Sequence, residues 1–393
     1  MEPISPSYLT KLPREKVECG LAFLGFIIFE NKLKSGTARV IDTLNKANIR
    51  QVMCTGDNLL TAISVSRECN LVNDDDTIYV PRFASGQSHE KDAVIEWVDV
   101  DETGQMLDPR TFQQLPTSRL HDRRPSSLRG GFQLAITGDV FQWMVDFAPD
   151  AVFERMLVKC QIYTRMSPDL KHFLVDNLQC IGYCVGFCGD GTNDCGALKT
   201  ADAGLSLSEA EASVAAPFTS KQTDLDCVLR LIREGRAALV TSFCCFKYMA
   251  LYSLIQFSSV SILYSLGQNI SDFQFMYIDL VLIIPIAIFM GQTGPHPSIH
   301  HKRPTARLVS KKVLSSMIGQ FIIQLIIQLF AFYWVRRQAW YLPGVVDLEN
   351  EVYLTFENTI VFLVSCYQYL IVAVVFTVGP PYQAEMWKNG WIC

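Results

Sequence analysis

Cys188-Gly189-Asp190-Gly191-Thr192-Asn193-Asp194-Cys195-Gly196-Ala197-Leu198 is the stretch on which the reading of this chain turns. Gly182 to Cys188 is small and β-prone, and it feeds a tight turn after which the sequence predicts a helix from Asn193. Gly189 and Gly191 let the backbone approach a ligand closely and adopt positive φ where a turn asks for it. Asp190, Asn193 and Asp194 put two carboxylates and an amide on one turn at the carboxyl end of a strand. Open α/β sheets bind their ligands at that edge. Clustered hard oxygens suit Mg²⁺ and phosphate better than a soft metal. Gly and Asp are also everyday turn residues, so the reading rests on what surrounds the motif.

Upstream, the pattern alternates between strand and helix. Cys19 to Phe29 reads as one or two buried strands, Lys34 to Asn48 as a helix, Ile49 to Cys54 as a strand, and Leu59 to Cys69 as a helix. Such alternation implies a parallel sheet covered by helices. Residues 72–133 break the pattern with Asp74-Asp75-Asp76, several prolines and Arg123-Arg124-Pro125, and read as an exposed insertion. Phe132 to Ile136 resumes a strand, followed by helices at Asp139–Phe147 and Ala151–Leu157, a strand at Gln161–Thr164 and a helix at Pro168–Cys180. Ala203 to Leu207 reads as the last strand of the sheet.

Composition conceals a division. The 393 residues are 49% hydrophobic and 19% charged, but the first 235 read as a soluble region and residues 236–378 hold four long apolar runs. A net charge of -5 argues against a nucleic-acid surface. The 13 cysteines form no paired framework, which suits a reducing compartment. Cys180, Cys184 and Cys188 recur every fourth residue, and core packing is the reading preferred there over a metal site.

From Gly235 to Leu266 a helix of about 45 Å is predicted at 1.5 Å per residue, longer than the roughly 30 Å hydrocarbon core of a bilayer. It reads as a stalk up to Lys247 and a span at about 248–266; further spans fall at about 273–291, 313–335 and 358–378. The loop at 294–312 carries Lys302, Arg303, Arg307, Lys311 and Lys312 and no carboxylate, whereas 338–357 carries Asp347, Glu349, Glu351 and Glu357. The positive-inside rule puts the first loop in the cytosol with residues 1–235 and the second on the opposite side. Asn269-Ile270-Ser271 is a glycosylation sequon too close to the membrane to be used. Within the second span, Asp272 and Asp279 lie two turns apart on one face, and Tyr248, Tyr252 and Gln256 form a stripe on the first. Intramembrane carboxylates with aromatic faces suit a polycation, with Asp272, Asp279, Tyr252 and Gln256 as its contacts. The competing reading makes Asp272 a helix cap and the tyrosines packing residues.

Three separated motifs fall into register. They are Met53-Cys54-Thr55-Gly56-Asp57-Asn58 with Thr61-Ala62, then Arg165-Met166-Ser167-Pro168 with Lys171, then Gly189-Asp190-Gly191-Thr192-Asn193-Asp194 with Ala197-Leu198. Followed by a membrane bundle, this order resembles the back half of a P-type transport ATPase over about residues 17–380. Glu30 to Lys34, Phe246 to Ser253 and Gly291 to Pro295 resemble the type 5 branch, group B. The resemblance implies an α/β haloacid-dehalogenase-like (Rossmannoid) phosphorylation domain, incomplete, followed by an α-helical transmembrane bundle of about four spans. Its boundaries are an N-terminal loop at 1–16, the phosphorylation domain at 17–234 with the insertion 72–133, stalk and spans at 235–378 and a tail at 379–393.

The resemblance also implies ATP and Mg²⁺ as cofactors, a cation or polyamine as transported substrate, and an endosomal, lysosomal or other internal membrane. Asp190 would hold Mg²⁺ with Asp194 in its shell, Asn193 would hydrogen-bond the transferred phosphoryl group, and Lys171 would neutralise its oxygens. Thr55 and Gly56 would donate to phosphate, with Gly189 and Gly191 lining the approach. Asp57 would orient nucleotide or Mg²⁺, and Lys34 stands where many members have a nucleotide-contacting Arg; Asn31 replaces their usual Asp. The family's nucleophile belongs to an Asp-Lys-Thr-Gly-Thr string, and Asp-Lys-Thr occurs nowhere in the chain. The chain therefore reads either as a portion of a transport ATPase or as a truncated, non-catalytic membrane protein that interferes with a full-length relative. A membrane-tethered phosphatase is the third reading, and the missing nucleophile argues against it.

Overall fold

The computed structural model describes residues 20, 22–27, 32–101, 106–115, 131–208, 214–343 and 355–385. The chain divides into two units, Met1–Lys34 and Ser35–Cys393. In the first, residues 22–27 form neither strand nor helix, and Phe23, Leu24, Phe26 and Ile27 are exposed. Residues 22–27 thus do not form the expected buried strand. Cys19 and residues 28–31 lie outside the described residues.

The second unit opens with α1 (Thr37–Lys46), whose Val40, Ile41 and Leu44 are buried at helical spacing. It continues through β1 (Met53–Cys54), α2 (Leu59–Glu68), β2 (Thr77–Ser85), β3 (Val94–Asp99), β4 (Met106–Leu107) and β5 (Phe132–Thr137). Next come α3 (Gly138–Phe147), α4 (Asp150–Lys159), β6 (Cys160–Thr164) and α5 (Pro168–Cys180). β7 (Gly186–Gly189), a 3₁₀ turn (Thr192–Asp194), α6 (Cys195–Thr200), β8 (Ala203–Ser206) and β9 (Phe218–Thr219) complete the α/β part.

Two sheets result. The first has the order β1-β6-β5-β2-β3-β4, parallel from β1 to β2 and antiparallel beyond; the second is an all-parallel β7-β8-β9. The stretch expected to be an exposed insertion supplies β2 to β4, and Ile78, Tyr79, Trp97 and Leu107 from it are almost fully buried. Burial of each such large side chain is worth about 1.5–3 kcal/mol, and Trp97 packs edge-on against Phe112. Asp74-Asp75-Asp76 sits in the turn before β2, and Pro81 lies within β2; Arg123-Arg124-Pro125 lies outside the described residues. β9 follows β8, so Ala203–Leu207 is not the last strand.

α7 (Asp226–Tyr264) leaves the α/β part and runs 39 residues without a break. After it come α8 (Asp272–Tyr277), a π-helical segment (Ile278–Ile283), α9 (Ile284–Gly291), α10 (Lys311–Val335) and α11 (Phe356–Phe376). Among the described residues, four helices are long and apolar enough to cross a membrane: Asp226–Tyr264, Asp272–Gly291, Lys311–Val335 and Phe356–Phe376. The buried Tyr248, Leu251, Ile255, Ile278, Tyr369 and Val372 form the centre of the bundle. On α7, Arg233 and Arg236 donate to the carbonyls of Pro297 and His300. Ile299 packs with Val40, Leu44 and Leu229, so the loop after α9 lies against the same part of α7 as α1.

Candidate functional site

Two of the three sequence motifs meet through backbone hydrogen bonds. Thr55 N–H donates to the Tyr163 carbonyl, Met166 N–H to that of Thr55, and Arg165 N–H to that of Asp57. The turn after β1 is thus locked to the turn after β6, where Arg165 takes φ 53°. Within it, Thr55 Oγ1 donates to Asp57 Oδ2 (2.9 Å) and accepts from Asp57 N–H (3.1 Å). Asn58 caps α2 by accepting from Leu60 N–H, and Ser167 caps α5 by accepting from Leu170 N–H with Pro168 in the first turn. Such a cap is worth about 1 kcal/mol; here it fixes where α5 starts and hence where Lys171, one turn later, emerges.

Lys171 Nζ donates to Asp194 Oδ1 at 2.7 Å, with both side chains only 12% exposed. The ammonium has three donors, and this bond engages one of them. Asp194 ends the 3₁₀ turn and folds back over Gly189: a Cβ added to Gly189 would stand 2.4 Å from Asp194 Oδ2. The glycine is required by that contact and not by positive φ, which neither Gly189 nor Gly191 adopts. At Gly191, φ is -99° and an added Cβ would meet only Asn193 N at 3.8 Å. His172 Nδ1 and Thr200 Oγ1, 2.7 Å apart, tie α5 to α6 beside the site. Asp190 and Asn193 are exposed on the turn. Lys34 is exposed and belongs to the first unit.

Cys54, the last residue of β1, lies within electrostatic reach of Lys171 and Asp194; burial pushes its thiol up to about 12, with the lysine opposing and the aspartate adding. Among the described residues β1 pairs only with β6, and β7 only with β8. Both strands border one core. Val52 and Cys54 at β1, and Ile181 and Val185 before β7, pack against the same buried cluster. Arg50, just before β1, lies over the ring of Tyr183, just before β7, 6.0 Å from its centroid. This openness also explains why Cys180 and Cys184 are exposed instead of packed in a core. Among the described residues no three His, Cys, Asp or Glu side chains cluster as metal ligands. Mg²⁺ asks for less, one or two carboxylates with waters and phosphate oxygens completing its shell. Asp190, exposed beside a buried Asp194 that the Gly189 backbone admits, fits that requirement.

In the bundle, Tyr252 OH donates to Asp279 Oδ1 (3.0 Å), and the Tyr252 ring packs edge-on against Tyr369, 5.7 Å between centroids. Asp279 sits in the π-helical segment. Asp272 is exposed in the first turn of α8, whose cap is a reciprocal Ser271–Gln274 pair. Tyr248 is fully buried in the bundle core and Gln256 half-buried, so the expected stripe divides between packing and the neighbourhood of Asp279. Sequence reasoning missed Tyr369 and a polar chain from Ser259 to Gln328 to Gln368; the available signal was Gln320, Gln324 and Gln328 at four-residue spacing inside an apolar helix.

A mixed α/β domain whose strand-end loops converge on a lysine–aspartate pair is continued by four apolar helices, and the relatives that match this chain are P-type ATPases. More narrowly, it matches a C-terminal portion of type 5 ATPases, the 13A group. It is 49% identical over 386 residues, 97% of its length, to the vacuolar cation-transporting ATPase YPK9 of Saccharomyces cerevisiae. To the human polyamine-transporting ATPase 13A3 it is 39% identical over 96% of its length, and to the probable cation-transporting ATPase catp-6 of Caenorhabditis elegans 40% over 98%. It spans 26%, 33% and 32% of these relatives, about a third of their length or less. No protein-family model matches the chain.

Proposed function

We propose that the chain supplies the Mg²⁺- and phosphate-cradling half of the phosphorylation site of an ATP-driven cation or polyamine transporter of internal membranes, on a haloacid-dehalogenase-like domain. The carrying observation is the 2.7 Å Lys171–Asp194 pair at the mouth of the two open strand edges. Phosphoryl transfer depends chiefly on positioning and charge neutralisation. Asp194 holds Lys171 so that its two remaining donors face the phosphoryl oxygens, Asn193 donates its amide, and Thr55 and Gly56 donate from the facing turn. Mg²⁺, held by Asp190 with Asp194 beside it, would supply charge neutralisation on the same oxygens. Asp57 orients nucleotide. Since Asp-Lys-Thr is absent from the chain, a non-catalytic role beside a full-length relative is the second reading.

Purified in detergent, the chain alone is expected to retain no γ-phosphate label after acid quenching with MgATP. It is also expected to bind Mn²⁺ by water-proton relaxation, and to lose that binding in Asp190→Asn. Label retained by the chain and released by hydroxylamine, or Mn²⁺ binding indifferent to Asp190, would overturn the reading. The basic loop at 294–312 is proposed to be cytosolic, since it contacts α1 and the foot of α7; an epitope at Pro304 labelled only from the lumenal side contradicts this.

In the membrane, Asp279 and Tyr252 form the centre of the proposed cation path. Gln256 extends it, and Asp272 marks its non-cytosolic mouth. An intramembrane carboxylate held by a phenol toward the bundle interior is a costly arrangement for packing alone.

A further inference from the structure

α6 is six residues long, Cys195–Thr200, too short to hold a helical shape unaided. It begins immediately after Asp194, so whatever fixes α6 also fixes the carboxylate that Lys171 meets. One face of α5 does this. Lys171, Val175 and Gln179 recur on it at four-residue spacing, with His172 beside Lys171. At the head of α6, Lys171 Nζ reaches Asp194. In the middle, Val175 packs with Ala197 and Ala201, and all three are buried. The helices run close there: a Cβ added to Gly196 would stand 3.6 Å from His172 Cβ. At the tail, Gln179 Nε2 donates to the Thr200 carbonyl (3.0 Å), and His172 Nδ1 lies 2.7 Å from Thr200 Oγ1.

The direction of the last bond follows from counting protons. The Thr200 hydroxyl has one hydrogen, and it is directed at the Gly196 carbonyl, 3.0 Å away. Oγ1 therefore accepts from His172, whose Nδ1 carries the proton in the tautomer this requires. The hydroxyl is thus a link between a donor on α5 and an acceptor within α6. We propose that His172 and Thr200 are positioning residues of the phosphoryl site: their bond holds the tail of α6 against α5 and so keeps Asp194 in register with Lys171. The lever is short. At 1.5 Å per residue α6 spans about 9 Å, and a shift at its tail is carried to its head instead of being absorbed along the way. The proposal rests on the phosphorylation reading given above and adds to it the device that sets the geometry.

The test uses an ATPase that contains this sequence and follows phosphoenzyme formation from labelled ATP by rapid quenching, which reads a rate constant and not the amount of folded protein. Thr200→Val keeps the side-chain shape and removes the hydroxyl; His172→Phe keeps a ring and removes the donor. Each is expected to slow the step at saturating ATP about tenfold, the scale of a small misplacement of a catalytic group, with the KM for ATP within about twofold of the parent. The double variant should be no slower than either single one, because both remove the same bond. Thr200→Ser, and His172→Asn with its amide nitrogen in place of Nδ1, should recover most of the rate. Parent-like rate constants in Thr200→Val and His172→Phe beside a slow Lys171→Ala overturn the proposal and leave the phosphorylation reading standing. A parent-like Lys171→Ala overturns both. Additive losses in the double variant, or Ser and Asn variants as slow as Val and Phe, show an effect other than the bond and equally overturn the proposal. Should Thr200→Val fail to fold, His172→Phe and His172→Asn, altered at an exposed side chain, decide the matter.

Discussion

The phosphate end of the α/β domain holds a buried carboxylate, Asp194, and the middle of the helical bundle a half-buried one, Asp279, and the two are satisfied differently. At the first, Asp194 meets a full positive charge, Lys171, beside a turn of exposed polar groups. At the second, Asp279 meets only the phenol of Tyr252. A fixed counter-charge prepares the first site for an anion, whose oxygens compete for the same ammonium. Among the described residues no lysine or arginine is bonded to Asp279, the arrangement that the proposed cation path calls for. The two halves of the chain thus carry opposite demands, and each is built from the residue types that its solvent permits.

The comparison breaks most decisively at Lys171. Placed in an ATPase that contains this sequence, Lys171→Ala is expected to lower phosphoenzyme formation from labelled ATP by about 100-fold or more, the usual scale for a lost transition-state donor. A drop of less than about threefold would make the lysine an ordinary structural partner of Asp194. Next in size is Asp279→Asn, expected to abolish substrate-stimulated ATP hydrolysis while phosphoenzyme formation stays largely intact. Tyr252→Phe should act in the same direction but more weakly, since it removes one hydrogen bond worth roughly 1–3 kcal/mol to a charged acceptor. If spermine-type substrates stimulate Asp279→Asn as well as the parent, the contrast between the two carboxylates fails. The smallest effect is on stability. Gly189→Ala forces a methyl against Asp194 and should cost about 1–3 kcal/mol as overpacking, read as a lower thermal midpoint of the chain in detergent. Gly191→Ala, with room for its methyl, should stay within about 0.5 kcal/mol. Equal midpoints for the two would remove the steric account of the motif's first glycine.

Much of this was legible in the residues. Pro168 after Ser167 fixed the start of α5, and the four apolar runs match helices at Asp226–Tyr264, Asp272–Gly291, Lys311–Val335 and Phe356–Phe376. Capping and periodicity act between residues a few positions apart, so the local sequence carries them. Motif order likewise proposed Thr55, Lys171 and Asp194 as members of one site, and the structure pairs Lys171 with Asp194 and bonds the Thr55 turn to Met166. The tertiary structure decided what depends on distant partners. It drew the charged and proline-marked stretch after residue 72 into the sheet as β2 to β4, because Tyr79 and Trp97 found a core to fill. It left residues 22–27 without a strand and opened β1 and β7 at their edges. It separated Tyr248, a packing residue, from Tyr252, a ligand of Asp279, though one turn of the same helix lies between them. Which face of an element is covered, and by what, is a property of contacts between segments far apart in the chain, and no short window of sequence contains both sides of such a contact.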